Sequence, residues 1–114
     1  MAALALLCCG CGQFQNGKIC TALYAYGVAA TVTAEDSGAP ISNATLTLTD
    51  GIYTETMQSF ATGQFVGAGE RAGTYTLTAT APGYATKTID SIVVTSDSCH
   101  VMGVHVNVVL QPAA

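Results

Sequence analysis

The sequence predicts an all-β fold, a sandwich of about seven antiparallel strands wound as a Greek key. Two observations carry that prediction. Apolar and polar residues alternate with period two in segments separated by turn residues at short, regular intervals. The apolar residues are mostly Ala and Val, and Thr and Gly are abundant, a mixture suited to strands and tight turns rather than long helices. Half of the 114 residues are hydrophobic and 9% are charged, which excludes a disordered chain and leaves room for one domain.

The elements follow in order. Residues 23–34 form the first strand, with Tyr24, Tyr26, Val28, Ala30 and Val32 on the core face and Thr31 and Thr33 opposite. Asp36-Ser-Gly-Ala-Pro40 turns the chain. In residues 44–49, Ala44, Leu46 and Leu48 face inward and every threonine outward, and Asp50-Gly51 then signals a hairpin into a partner strand over 52–57. A weaker strand is expected over 60–66. Gly67 to Gly73 reads as a loop by composition, since no helix survives its glycines. Tyr75, Leu77 and Ala79 mark the inner face of the next strand, and Pro82-Gly83-Tyr84 a type II turn. A strand pair over 85–89 and 91–95 follows. The last strand, 100–110, puts His100, Met102, Val104, Val106, Val108 and Leu110 on one face, and Gln111 begins a tail.

Before the domain lies a short apolar run, Met1-Ala-Ala-Leu-Ala-Leu-Leu-Cys-Cys-Gly-Cys11. It falls short of the roughly 20 apolar residues a membrane-crossing helix needs, and reads as the end of a secretory segment. The run resembles a bacterial lipoprotein signal, in which the cysteine after a small residue is lipidated. Cys11, preceded by Gly10, is the candidate, and Cys8 and Cys9 are the alternatives. An ordinary cleaved signal is the competing reading. The expected organisation is a leader over 1–11, a linker over 12–20 and a sandwich domain over 21–114, carried in the cell envelope as a membrane-anchored lipoprotein or secreted.

Thiolates at Cys8, Cys9, Cys11 and Cys20 offer one Cys-x2-Cys pair, Cys8 with Cys11, but not the second pair of a structural zinc site, and they sit in or beside an apolar leader, so a metal is not expected. Cys20 precedes the first strand and Cys99 the last. In an oxidising compartment they can form a disulfide closing a long loop, contributing about 4 kcal/mol on a chain-entropy model. Two buried free thiols are the alternative.

Asp36-Ser-Gly-Ala-Pro-Ile41, Ala44-Thr-Leu-Thr-Leu-Thr-Asp-Gly51 and above all Gly73-Thr-Tyr-Thr-Leu-Thr-Ala-Thr-Ala-Pro-Gly-Tyr84 resemble the carboxypeptidase regulatory-like domain family over residues 28–110. The resemblance implies a transthyretin-like (prealbumin-like), Ig-like sandwich, a carbohydrate-binding-like fold serving as an accessory, non-catalytic module. Stalks, spacers and contact with protein or carbohydrate are the roles it implies. The chain is also similar to small bacterial lipoproteins that carry such a module alone, at Gly67-Ala-Gly-Glu-Arg-Ala-Gly-Thr-Tyr75 and Ser98-Cys-His-Val101.

The remaining residues argue against catalysis and against nucleic acid. A net charge of −4, with Lys18, Arg71 and Lys87 as the only Lys and Arg, provides no basic stripe for phosphates. His100 and His105 lie five residues apart on one expected strand and therefore point to opposite faces. Nothing selects a catalytic pair from Glu35, Asp36, Asp50, Glu55 and Glu70, and no Asp-x-Asp-x-Asp run offers calcium a loop. No cofactor is expected. Glu70 and Arg71, in the glycine-rich loop, could pair with each other at the surface or present a ligand-contact loop. The expected function is a cell-envelope module that contacts an unidentified protein or glycan, or acts as a spacer, held to the membrane through a lipid on Cys11. The alternative is a structural subunit that polymerises by β-strand addition.

Overall fold

The structure, a computed structural model, describes residues 14–15, 18–19 and 24–113. Strands β1 (Phe14–Gln15) and β2 (Lys18–Ile19) pair as a small antiparallel hairpin. The domain then follows as β3 (Tyr26–Ala34), β4 (Thr45–Asp50), β5 (Tyr53–Thr56), β6 (Gln58–Ala61), β7 (Gln64–Gly69), β8 (Gly73–Thr80), β9 (Lys87–Ser96), β10 (Val101–Met102) and β11 (Val104–Leu110). These nine form two sheets, β10-β9-β8-β4-β5 and β11-β3-β7-β6.

Alternation builds the interior as the sequence predicts. From β3 come Val28, Ala30, Val32 and Ala34, from β4 Leu46 and Leu48, from β8 Tyr75, Leu77 and Ala79, and from β11 Val108 and Leu110, all buried. Among the described residues no polar or charged side chain is buried. Two turns also match their residues. Gly51 at φ 62° heads the two-residue loop between β4 and β5, the place glycine takes in a type II′ hairpin. The Tyr84 amide donates to the Ala81 carbonyl at 3.1 Å with Gly83 at φ 83°, as a type II turn requires.

Strand number differs from the expected seven because two strands change sheet partway. The chain over 53–61 pairs with β4 as β5, bends at Met57, whose amide donates to Leu46 O at 2.8 Å, and continues against β7 as β6. The chain over 101–110 pairs with β9 as β10, bends at Gly103 and runs beside β3 as β11. Such bends make the corners of a sandwich. The second bend also breaks the expected face, since Val101 is buried and Met102 is 53% exposed.

The expectation of a wholly antiparallel fold fails at one place. β11 pairs with β3 in parallel, Val104 opposite Val28 through Leu110 opposite Ala34, because it arrives by crossing from the other sheet rather than through a hairpin.

Three smaller corrections share one cause, which is that tertiary neighbours decide what local composition leaves open. The weak strand expected over 60–66 is the β6–β7 hairpin. Gly67 to Gly69 belong to β7 rather than to a loop, and a side chain on Gly67 would come within 3.0 Å of Leu48 and Met57. The strand pair expected over 85–89 and 91–95 is the single strand β9, bulged where Thr76 faces both Asp90 and Ser91, with Ser91 at φ 61°. Tyr24 and Tyr26 leave the core face at its end, 64% and 40% exposed.

Leu77 is fully buried and Phe60, on β6, is 64% exposed. Leu77→Ala should therefore destabilise the domain by about 2–5 kcal/mol and Phe60→Ala by less than about 1 kcal/mol in urea unfolding. Equal losses would mean that the period-two assignment of inside and outside is mistaken.

Candidate functional site

One end of the sandwich gathers most of its polar chemistry. The β7–β8 connection over 70–72, the β9–β10 connection over 97–100, the β4–β5 hairpin and the segment leading into β3 all lie there. Ala68 at φ 53° and Glu70 at φ 50° hold left-handed conformations that cost about 1–3 kcal/mol each without glycine. Contacts on both sides of Glu70 offset that cost. Its amide donates to Ala25 O at 2.8 Å, and its carboxylate Oε2 accepts the Ala25 amide at 2.8 Å. The same oxygen lies 2.8 Å from His100 Nδ1. The Ala25 amide, and after it His100, hold the Glu70 carboxyl below the usual carboxylate range.

His100 is positioned by its own loop. Asp97 Oδ1 accepts the amides of Cys99 and His100, each at 2.8 Å, a local side-chain-to-backbone turn of the kind aspartate favours. Cys99, on this loop, is disulfide-bonded. A polar recess of about 190 Å³ lies between Glu70 and the 96–101 segment.

Arg71 turns the other way. Its Nη1 donates to Asp50 Oδ2 at 3.1 Å and to the Tyr75 hydroxyl at 2.9 Å, while its guanidinium lies 3.7 Å over the Tyr53 ring. The Tyr75 hydroxyl donates to Arg71 O at 2.8 Å, a tyrosine corner four residues long. The hydrogen bond with Tyr75 is the main reason the Arg71 guanidinium is held above its ordinary value. Tyr53 donates to Glu55 Oε1 at 2.6 Å, and Glu55 Oε2 accepts the Ala68 amide at 3.1 Å. The hydrogen bond to Glu55 is the main cause pushing the Tyr53 phenol up.

Glu70 and Arg71 therefore do not pair with each other. The left-handed backbone at Glu70 sends the two side chains to different partners, and both are engaged by the chain itself. His105 lies away from His100, with Nε2 3.0 Å from Thr31 Oγ1 on the outer surface. Among the described residues no three His, Cys, Asp or Glu side chains converge as a metal site would require. Cys8, Cys9, Cys11 and Cys20 lie outside the described residues. Periodicity did not reveal the exposed edge-to-face pair of Tyr24 and Tyr26, whose ring centroids are 5.2 Å apart. The signal was present in their position, two aromatics at the very start of a strand, beyond the reach of the core.

These features define a class, an all-β sandwich module whose polar end holds its own loops. The sequence model of the carboxypeptidase regulatory-like domain matches residues 27–111, and the chain belongs to that family of regulatory, generally non-catalytic β-sandwich modules. No curated protein matches the chain.

Two measurements test the locks. Tyr75→Phe strips the fully buried ring of its hydroxyl and leaves Arg71 O without its donor, so a loss of about 1–3 kcal/mol is expected in thermal unfolding. A lowered carboxyl value contributes stability above the unfolded pKa of about 4.3, and that contribution disappears as pH falls through the folded value. The stability advantage of wild type over Glu70→Gln should accordingly shrink on acidification through that window. An advantage independent of pH there would show that the Glu70 charge is not what holds Ala25 and His100.

Proposed function

We propose that the chain is a cell-envelope spacer, held to the membrane by a lipid on Cys11 and separated from it by the linker over 12–20, with Cys20 bonded to Cys99. One observation carries this reading. The chain enters β3 at Tyr26 and leaves β11 at Leu110, and because the two strands are parallel these points lie at opposite ends of the domain. The domain thus adds its length, about 23 Å of ladder for seven residue pairs, to the reach of the chain instead of folding it back.

Contact with a protein or glycan is a second role, favoured by the exposed Tyr24 and Tyr26, since tyrosine presents an apolar ring with a polar tip. β11 leaves a seven-residue edge open, but strand addition draws less support at β9. The open side of β9 carries Lys87, Asp90 and the bulge at Ser91, devices that blunt an edge against pairing.

Mass spectrometry of the mature protein from the membrane fraction, run without reduction, tests the anchoring. The expected products are an acylated peptide beginning at Cys11 and a peptide pair joining Cys20 to Cys99. A soluble protein still beginning at Met1, with free thiols, would overturn the proposal.

A further inference from the structure

Beyond spacing, the topology sets a definite arrangement for tension. β3 and β11 are the first and last long strands, they are parallel neighbours, and the chain joins them at opposite ends. Tension between the two ends of the protein pulls β3 toward its Tyr26 end and β11 toward its Leu110 end. The strands must then slide along each other, so the pairs from Val28–Val104 to Ala34–Leu110 carry the load together instead of opening one after another.

Both points where load enters have locks outside the ladder. At the first, Ala25 and Glu70 exchange two hydrogen bonds of 2.8 Å, and His100 braces the same carboxylate. At the other, the Glu35 amide donates to Leu110 O at 2.9 Å and Gln111 Nε2 to Glu35 Oε2 at 3.1 Å. Beyond it, Ala85 donates to Gln111 O at 2.8 Å, Pro112 bridges Tyr84, and Ala113 donates to Gly83 O at 3.0 Å.

Cys99 adds a covalent route. The chain has five cysteines, and the four besides Cys99 all precede residue 21. A bond from Cys99 to any of them joins the segment before β3 directly to the segment that runs through β10 into β11. Tension then bypasses residues 21–98 altogether.

We propose that this module bears tension along its long axis in two tiers: the Cys99 disulfide passes load straight into β10 and β11, and when the disulfide is open the parallel β3–β11 ladder takes the load in shear. The proposal rests on the spacer reading for its purpose, but not on the lipid.

Single-molecule force spectroscopy on the full chain tests both tiers. In dithiothreitol, pulling between the two termini should release roughly 250–300 Å of contour in one step, the extended length of residues 24–111 less the folded span. Moving the second handle to exposed Met102 puts both load points at one end of the ladder, since Gly103 lies beside Tyr26 O. Load then unzips β11 from β3, and rupture should need at most about half the terminal-pulling force, because forced rupture follows the barrier along the loaded path. Equal forces in the two geometries would overturn the shear ladder. Without reductant, terminal pulling should show no step longer than about 30 Å, the extended length of the fifteen residues beyond Cys99 less their folded span. A full-length step under those conditions would overturn the covalent tier. Absence of lipid on Cys11 would sink the anchoring proposal and leave all of these forces unchanged.

Discussion

The structure depends on two strands being shared between its sheets. A sandwich of separate sheets is held by side-chain burial alone, whereas here the chain over 53–61 and the chain over 101–110 each begin in one sheet and finish in the other. The bends fall where a side chain or its absence permits them. Met57 is buried at the first and anchors it through Leu46 O, while Gly103 at the second would bring a side chain to within 3.1 Å of Tyr26 O. Because each corner couples backbone ladders across the core, neither sheet can slide without breaking hydrogen bonds in the other. The first corner also shortens two free edges, with β5 and β6 at four residues each, while β11 stays an edge of seven.

The second bend has a further consequence. By crossing at Gly103 the chain reaches β3 from the far sheet, and this crossing makes the final pair parallel. An antiparallel last strand would have left the domain near the point where the chain entered. The distance between the ends of the domain, and the direction in which load meets its hydrogen bonds, therefore both trace to one bend of the backbone.

How far the fold could be read from the sequence followed the range of the interactions that set it. Leu46, Leu48, Tyr75, Leu77 and Ala79 were placed correctly because alternation is a local signal and each sits mid-strand, where inside and outside are defined by neighbours on both sides. Tyr24 and Tyr26 obey the same alternation but lie past the last core residue, so period two assigned them an interior that ends before it reaches them. Gly67 to Gly69 looked like a loop because their role is to leave room for Leu48, Met57 and the Tyr24 ring, none of which is near them in sequence. The break expected at Asp90, between strands over 85–89 and 91–95, is instead a bulge within β9, because a bulge and a strand end draw on the same polar residues. Position in a glycine-rich segment is the only signal that marks Glu70 and Arg71 in the sequence. Their partners Ala25, Asp50, Tyr75 and His100 come from four separate segments that no motif connects.

Charge is scarce in this chain, and where it is spent bears on what the module can do. Of three Lys and Arg residues, Arg71 is taken up by Asp50, Tyr53 and Tyr75. Of seven carboxylates, Glu55 is committed to Tyr53 and the Ala68 amide, and Glu70 to Ala25 and His100. Each of these groups closes a loop at the same end of the sandwich, and two of them support left-handed backbone at Ala68 and Glu70 that would otherwise be costly. Charges engaged in this way are poorly placed to steer a partner from a distance. The loop whose residues first suggested a ligand contact is thereby tied to the fold, and the weight of the functional reading shifts from its side chains to the backbone they hold. In a module whose end loops are locked at the point where the chain enters, and whose outer faces are nearly uncharged, reach and resistance to extension are the properties the architecture develops most fully.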